Sequence, residues 1–197
     1  MQRSWPLQTT NPEYSVLRHS GYREYKVENW YLARDGSGRV VHGTSNLTVF
    51  DAVLVAGLSF LWLKVTSRFW HLLCISLALF HIWGKCNQIL SESVVLLPSL
   101  GIQLETCRGF PLFHKPFSIR REFIPMSSLE DVIINEGLRR WDVRYYLAFL
   151  RRRDMNRVML EVAYKNLLPH HNVLVHVYHD LYSQIPNPTT IHIVPDG

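Results

Sequence analysis

The sequence predicts a membrane-anchored α+β protein. In this fold class an N-terminal two-helix transmembrane hairpin precedes a curled antiparallel β-sheet, which a C-terminal α-helix caps. Residues 47–83 are almost entirely apolar, the stretch after residue 85 alternates apolar and polar side chains, and residues 169–185 repeat apolar side chains every three or four positions. These three patterns divide the 197 residues into a cytosolic segment (1–46), a hairpin anchor (47–85), a folded domain (86–186) and a flexible tail (187–197).

The apolar stretch divides into two predicted helices. Leu47–Leu63 and Phe69–Trp83 are separated by a short connection that carries Lys64 and Arg68. Each half is shorter than the roughly 20 residues that cross an average bilayer, although the endoplasmic reticulum bilayer is thinner. Two short spans and a re-entrant hairpin both fit, and both place the two ends on one side of the membrane. A buried helical hairpin of a soluble protein is the remaining alternative, but these halves lack its polar stripe.

Charge specifies the orientation of this segment only weakly. We expect both ends of the apolar segment to lie on the cytosolic side. This orientation makes a prediction about the sequon Asn46-Leu47-Thr48. In that orientation the sequon never meets the glycosylation machinery of the lumen, so Asn46 carries no sugar.

After Lys85 the pattern becomes typical of β-strands separated by turns, of which residues 98–101 (PSLG) are the clearest. The predicted strands are Ser93–Leu97, Ile102–Thr106, Ile119–Ile124, Asp131–Asn135, Trp141–Leu150 and Arg157–Val162. A helix is predicted over residues 169–185, and Pro186 ends it. Six antiparallel strands followed by one amphipathic helix indicate a curled sheet with one end plugged by the helix, as in pleckstrin-homology-like domains.

Residues 1–46 are less informative. Tyr22, Tyr25, Trp30 and Tyr31 are interleaved with charged residues, and residues 35–38 (DGSG) predict a turn. Two placements fit this pattern, one at the edge of the sheet and one along the membrane surface.

No catalytic motif is present. The chain lacks the nucleophile elbow, the zinc-protease motif, the phosphate-binding loop and the βαβ alternation that holds a sugar nucleotide. Four histidines near the C-terminus suggest a metal, but no cysteine or well-spaced carboxylate completes a ligand set, so a polar helix face is the preferred interpretation. These are His170, His171, His176 and His179. We therefore expect no catalytic residue, no cofactor and no metal.

The net charge of +5 is concentrated in an arginine-rich stretch. Arg151, Arg152 and Arg153 lie in a predicted tight loop between two strands. This loop is a candidate contact for anionic lipid headgroups or for an acidic patch on a partner. A solvated turn that Asp142 and Asp154 partly neutralise is the alternative. Nucleic acid is excluded as a partner because no aromatic platform accompanies the arginines.

Asn135, Glu136 and Gly137 form a second candidate contact, this one for a protein partner. They follow an apolar strand, and Gly137 indicates a turn. The polar side chains either satisfy backbone groups of that turn or bind a partner.

Three motifs occur in a characteristic order and spacing: SESVVLLPSLGIQLET at 91–106, REFIPMSSLEDVIINEG at 121–137 and DVRYYLAFL at 142–150. With these motifs, residues 92–150 resemble the conserved domain of the PIG-H family. LLPHHNVLVHVYHDLY at 167–182 is similar to the C-terminal end of the family. The folded domain at 86–186 is therefore identified as a PIG-H domain.

The resemblance implies a noncatalytic accessory subunit. The complex concerned transfers N-acetylglucosamine from UDP-GlcNAc to phosphatidylinositol, the first step in the biosynthesis of glycosylphosphatidylinositol (GPI) anchors. The implied location is the endoplasmic reticulum membrane with both termini cytoplasmic. The implied partners are the catalytic, PIG-A-like glycosyltransferase subunit, other membrane subunits and membrane lipid. Two alternatives stay open: a membrane-anchored module that binds phosphoinositides without a role in glycosyl transfer, and a hairpin wedge that shapes membranes.

Overall fold

The computed structural model describes residues 2–33, 35–43, 48–64, 66–110, 116–139, 141–154 and 157–185. These residues form eleven β-strands and three α-helices. The strands are β1 (Gln2–Ser4), β2 (Tyr14–Arg18), β3 (Arg23–Glu28), β4 (Trp30–Leu32), β5 (Val40–His42), β6 (Gln88–Leu97), β7 (Gly101–Gly109), β8 (Ser118–Pro125), β9 (Leu129–Arg139), β10 (Asp142–Asp154) and β11 (Arg157–Val162). The helices are α1 (Val49–Lys64), α2 (Arg68–Cys86) and α3 (His171–Tyr182).

The strands form three antiparallel sheets. The largest has six strands in the order β1-β2-β3-β6-β7-β8. β9, β10 and β11 form a three-stranded sheet with β10 in the centre, and β4 and β5 form a two-stranded ribbon. The two helices α1 and α2 lie in the chain between β5 and β6.

The predicted fold class is therefore wrong. β1–β5 precede the helices, and β3 pairs with β6 beyond them, with Tyr25 opposite Val94. The helices are thus an insertion within a sheet and not an N-terminal transmembrane hairpin. Within the described part of the chain only α2 is long and apolar enough to cross a membrane, by length and composition alone. The strands are divided among three sheets, where one curled sheet of pleckstrin-homology type was expected.

The physical reason for this error lies in the first 30 residues. Tyr14 and Val16 on β2, and Tyr25 and Val27 on β3, have at most 3% of their surface exposed. They alternate along short strands whose other residues, apart from Leu17, are polar, so the segment has no long apolar run. Its strands gain their stability from partners that lie more than sixty residues away in the sequence.

Helix α3 completes the core between the two larger sheets. Its apolar residues recur at helical spacing, as predicted, and Val173, Leu174, Val177 and Leu181 are fully buried. They pack in one cluster with residues of both sheets. The cluster contains Tyr14, Val16, Tyr25, Val27, Val94, Leu96, Ile102, Ile124, Val132, Leu147, Phe149, Ala163 and Tyr164.

The folded part of the chain has two distinct ends. α2 ends at Cys86 and β6 begins at Gln88, opposite Gly109 of β7. We call this the helix-proximal end. The helix-distal end is the β6–β7 turn at residues 98–100, where the Met126 amide donates to the Leu100 carbonyl. β6 has ten residues between these ends, or about 33 Å at 3.3 Å per residue.

Candidate functional site

A cleft of about 680 Å³ opens at the helix-proximal end. One wall is the β4–β5 ribbon with Trp30 and Tyr31, and the other is the segment of residues 167–170 that leads into α3. The ribbon is held in place by Asn29, whose backbone amide donates to the Leu90 carbonyl at 2.8 Å. Arg144 of β10 also lines the cleft. Three separate stretches of the chain therefore meet here.

The floor of the cleft carries a buried carboxylate. Glu13 is 6% exposed, and its Oε1 accepts a hydrogen bond from Asn11 Nδ2 at 2.9 Å. Its Oε2 has no hydrogen-bond partner among the described residues. On the rim, burial raises the pKa of Glu28, but the hydrogen bond from Trp30 Nε1 and the Lys26 ammonium together hold it below its ordinary value. The cleft thus presents carboxylates and aromatic rings, which suit a hydrogen-bond donor or a cation.

Glu92 fixes the wall in front of α3. This carboxylate is 3% exposed on β6 and accepts hydrogen bonds from the backbone amides of Asn166, at 3.1 Å, and Leu167, at 3.0 Å. The Asn166 side chain donates a third bond at 2.6 Å. The segment between β11 and α3 is thereby bound to the centre of the large sheet.

Asp180 secures the other end of α3. Its carboxylate accepts hydrogen bonds from Tyr25 Oη at 2.7 Å and Arg23 Nη1 at 3.0 Å, and Arg18 lies at 3.6 Å. Burial, followed by the hydrogen bond to Asp180, raises the pKa of Tyr25 above its ordinary value. These contacts join α3 to β2 and β3 and have a structural role.

Asn135, Glu136 and Gly137 lie within β9 and not at a strand end. They face Tyr146, Tyr145 and Arg144 of β10 respectively. Asn135 is exposed, and its Nδ2 donates to Tyr146 Oη at 3.1 Å. A side chain at Gly137 would lie 3.0 Å from the Tyr146 ring, so the glycine gives that ring room on the sheet surface. The turn predicted at Gly137 is therefore replaced by continuing strand.

Arg151, Arg152 and Arg153 also lie within a strand, because β10 continues to Asp154 where a tight loop was predicted. Arg152 pairs with Glu130 of β9. Arg153 is exposed, and its Nη1 donates to the Met159 sulfur at 3.6 Å. All three lie at the helix-distal end, since Arg151 pairs with Leu129, which follows the Met126–Ser128 turn.

Two of the C-terminal histidines contact different parts of the fold. His176 Nδ1 lies 3.0 Å from Tyr14 Oη, and the His171 ring lies 4.4 Å from the Tyr145 ring. No group of three histidine, cysteine or carboxylate residues that could hold a metal occurs in the described part of the chain.

A polar cluster joins the bases of α1 and α2. Asp51 is 5% exposed and accepts hydrogen bonds from His81 Nε2 at 2.7 Å and Lys85 Nζ at 3.0 Å. It also accepts hydrogen bonds from the Thr48 hydroxyl, at 2.9 Å, and from the Thr48 backbone amide, and the latter bond caps the start of α1. The start of α1 and the end of α2 therefore lie side by side. Outside this cluster most side chains of both helices are exposed, and Cys74 is the buried residue of α2.

Glu13, Glu92 and Asp180 were not predicted from the sequence. Glu92 offered a signal, because it is an isolated carboxylate at the start of the apolar run SVVLL. A charge in such a position is buried only with hydrogen-bonding partners. The partners themselves lie 74 and 75 residues away and could not be named from the sequence.

Part of the chain matches the model of a known protein family. Residues 93–163 match the model of the family described as "GPI-GlcNAc transferase complex, PIG-H component". The match covers β6 from Ser93 through β11. The predicted resemblance is confirmed, since this part of the chain is similar to the PIG-H family.

A curated relative agrees with the family match. The chain is 32% identical over 111 residues to "Phosphatidylinositol N-acetylglucosaminyltransferase subunit gpi15" of Schizosaccharomyces pombe. The alignment takes in 56% of this chain and 62% of the relative, so it leaves more than a third of each uncovered. No solved structure matches the chain.

Proposed function

We propose that this chain is a noncatalytic accessory subunit of the complex that transfers N-acetylglucosamine from UDP-GlcNAc to phosphatidylinositol in the first step of GPI-anchor biosynthesis. The observation that carries the proposal is the PIG-H segment at residues 93–163, together with a relative that is named as a subunit of this transferase. Two carboxylates support it, since the buried Glu92 and the partly buried Asp180 are engaged in joining elements of the fold.

The second part of the proposal concerns location. α2, with α1 beside it, holds the chain at the endoplasmic reticulum membrane, and both termini lie on the cytoplasmic side. The support is that β3, before the helices, pairs with β6, after them, so both flanking segments belong to one folded unit on one side. The exposed apolar surface of α2 is suited to lipid. Glycosylation of Asn46, which lies outside the described residues, would contradict this orientation.

The third part assigns partner surfaces. Arg151, Arg152 and Arg153 bind an acidic patch on another subunit, such as the PIG-A-like glycosyltransferase. They lie about 30 Å from the helix-proximal end, and charges are largely screened beyond about 8–10 Å at physiological salt. A lipid headgroup at the base of α2 is therefore the less suitable ligand. We propose the exposed Asn135 and Glu136, beside Gly137, as a second contact with the complex.

Charge reversal of one arginine tests the assignment. Arg153→Glu in the full chain should reduce co-purification of the glycosyltransferase subunit, because an attractive contact becomes repulsive. Arg120→Glu on β8 is the matched control, since Arg120 is also exposed on a strand. Equal recovery with both variants would remove the arginines from the interface. Flotation with anionic vesicles that fell only in Arg153→Glu would instead favour headgroup binding.

The proposed role itself is tested by recovery of the complex. An affinity-tagged full chain, purified in mild detergent from cells that make all subunits, should bring down the glycosyltransferase. A stable monomer without associated subunits would contradict the proposal.

A further inference from the structure

The hairpin that joins β9 and β10 ends in an exposed apolar patch. Leu138 and Val143 face each other across the two strands, and Trp141 lies in the turn between them. Leu138 is 84% exposed, Val143 is 52% exposed, and Trp141 is exposed completely. We call these three residues the tip patch. Their exposure needs an explanation, because large apolar side chains clustered at one surface site mark contacts with a partner or a membrane.

The tip patch lies at the helix-proximal end. Arg144, the residue after Val143, lines the same cleft as Asn29, and Asn29 Nδ2 donates to the Ile89 carbonyl at 2.8 Å. Ile89 follows the end of α2 by three residues. The Tyr145 ring contacts the ring of His171, at the start of α3, and this contact also lies at the helix-proximal end. The apolar tip and the base of the apolar helix are therefore on the same side of the domain.

The chemistry of the tip suits a lipid surface. Tryptophan prefers the boundary between headgroups and acyl chains, because its ring is apolar and its N–H can donate. The sequence around the patch, LRRWDVR at 138–144, carries three arginines and one aspartate, a net charge of +2. Among the described residues, the exposed Arg144 side chain pairs with Asp142 at 2.7 Å, and an arginine beside inserted apolar side chains can reach anionic headgroups. The helix-proximal end also exposes Phe117, which is 60% exposed and whose amide donates to the Arg108 carbonyl.

We propose that the tip patch is a second membrane contact of this chain, in which Leu138, Trp141 and Val143 enter the interface of the bilayer that α2 occupies. The inference rests on the proposed membrane location and deepens it. Two contacts, one through α2 and one through the tip, fix the orientation of the domain. The cleft that contains Glu13 then faces the headgroup layer.

Site-specific photo-crosslinking tests the contact. The full chain is made with p-benzoylphenylalanine in place of Trp141, reconstituted into vesicles of phosphatidylcholine and phosphatidylinositol, and irradiated. The control carries the same photoreactive residue in place of Leu100, which is also an exposed apolar turn residue, 64% exposed, but at the helix-distal end. Mass spectrometry then measures the fraction of chain that carries one lipid. Both replacements are at exposed turns, so both chains should fold.

The expected result is lipid adducts at position 141 and few or none at position 100. Absence of adducts at 141, equal yields at the two positions, or adducts at 141 to protein alone would overturn the tip contact. Flotation of the same samples shows whether the tip contact alone or the membrane location as well is contradicted. If the chain floats with the vesicles but carries no adduct at 141, only the tip contact is contradicted. If the chain does not float, both proposals are contradicted. Co-purification of the glycosyltransferase with the Trp141-substituted chain tests the proposed function separately.

Discussion

Replacement of Glu92 by alanine tests whether one buried carboxylate holds the segment before α3. Glu92 accepts hydrogen bonds from the amides of Asn166 and Leu167, and a third from the Asn166 side chain. The Thr106 hydroxyl lies at 3.3 Å and adds a weaker contact. Alanine removes every acceptor at once and leaves the two backbone donors without a protein partner.

The expected loss of stability follows from the two backbone amides that Glu92→Ala leaves without an acceptor. A buried donor that loses its acceptor costs about 1–3 kcal/mol, and hydrogen bonds to a charged group contribute about 1.5–3 kcal/mol. Asn166 and Leu167 are half-buried, so water can replace part of the loss. We expect the free energy of unfolding to fall by about 2–4 kcal/mol. In a chain of this size that corresponds to a midpoint lower by roughly 4–16 °C.

Thermal unfolding of the full chain in detergent, followed by circular dichroism, measures this change. Asp142→Ala on β10 is the control, because Asp142 pairs at 2.7 Å with Arg144 and both side chains are exposed. A pair of this kind contributes about 0–1 kcal/mol. The reasoning is refuted if Glu92→Ala unfolds within about 2 °C of the original chain, or if both variants lose the same stability.

Two further predictions concern the same core. Gly101→Ala should cost more than about 1 kcal/mol, because its Cβ would lie 2.2 Å from the Ile124 carbonyl oxygen. Gly84→Ala within α2, with open space around it, should be neutral or stabilising by up to about 1 kcal/mol in the same melting experiment. Burial, the largest cause, raises the pKa of Tyr14 and Tyr25 above their ordinary value, so both ionise more readily in the unfolded chain. The contribution of these two tyrosines to stability should therefore be constant below about pH 10 and fall above it, by up to about 1.4 kcal/mol per pH unit for each tyrosine. Tyr14→Phe should reduce that slope in denaturant titrations at alkaline pH, and an unchanged slope would contradict the assignment.

The sequence predicted the local elements better than their arrangement. Strands β6–β11 and helix α3 were located because each has its own apolar period, whereas the N-terminal strands were missed because their stability comes from distant partners. The ends of β9 and β10 are among those that were placed too early. β9 continues through Gly137, and β10 through Arg151–Arg153, because cross-strand pairing persists after the apolar alternation stops.

In the candidate site, too, the residue types could be predicted from the sequence, but their positions in the fold could not. Asn135, Glu136 and the arginines were recognisable as polar residues near predicted strand ends, but which end of the domain they occupy depends on sheet pairing. Glu13 and Glu92 became recognisable only when long-range contacts showed that they are buried. The exposed Trp141 could not be distinguished from a core tryptophan, because the sequence places it at the start of a regular alternation.

The central claim is that this chain supports a glycosyltransferase and does not perform the transfer. The direct measurement is transfer of labelled N-acetylglucosamine from UDP-GlcNAc to phosphatidylinositol by three samples: the purified chain, the complex prepared without it, and that complex after the chain is restored. The account predicts no product from the chain alone, little or none from the depleted complex, and recovery on restoration. Product formed by the chain alone, or full activity of the depleted complex, would contradict it.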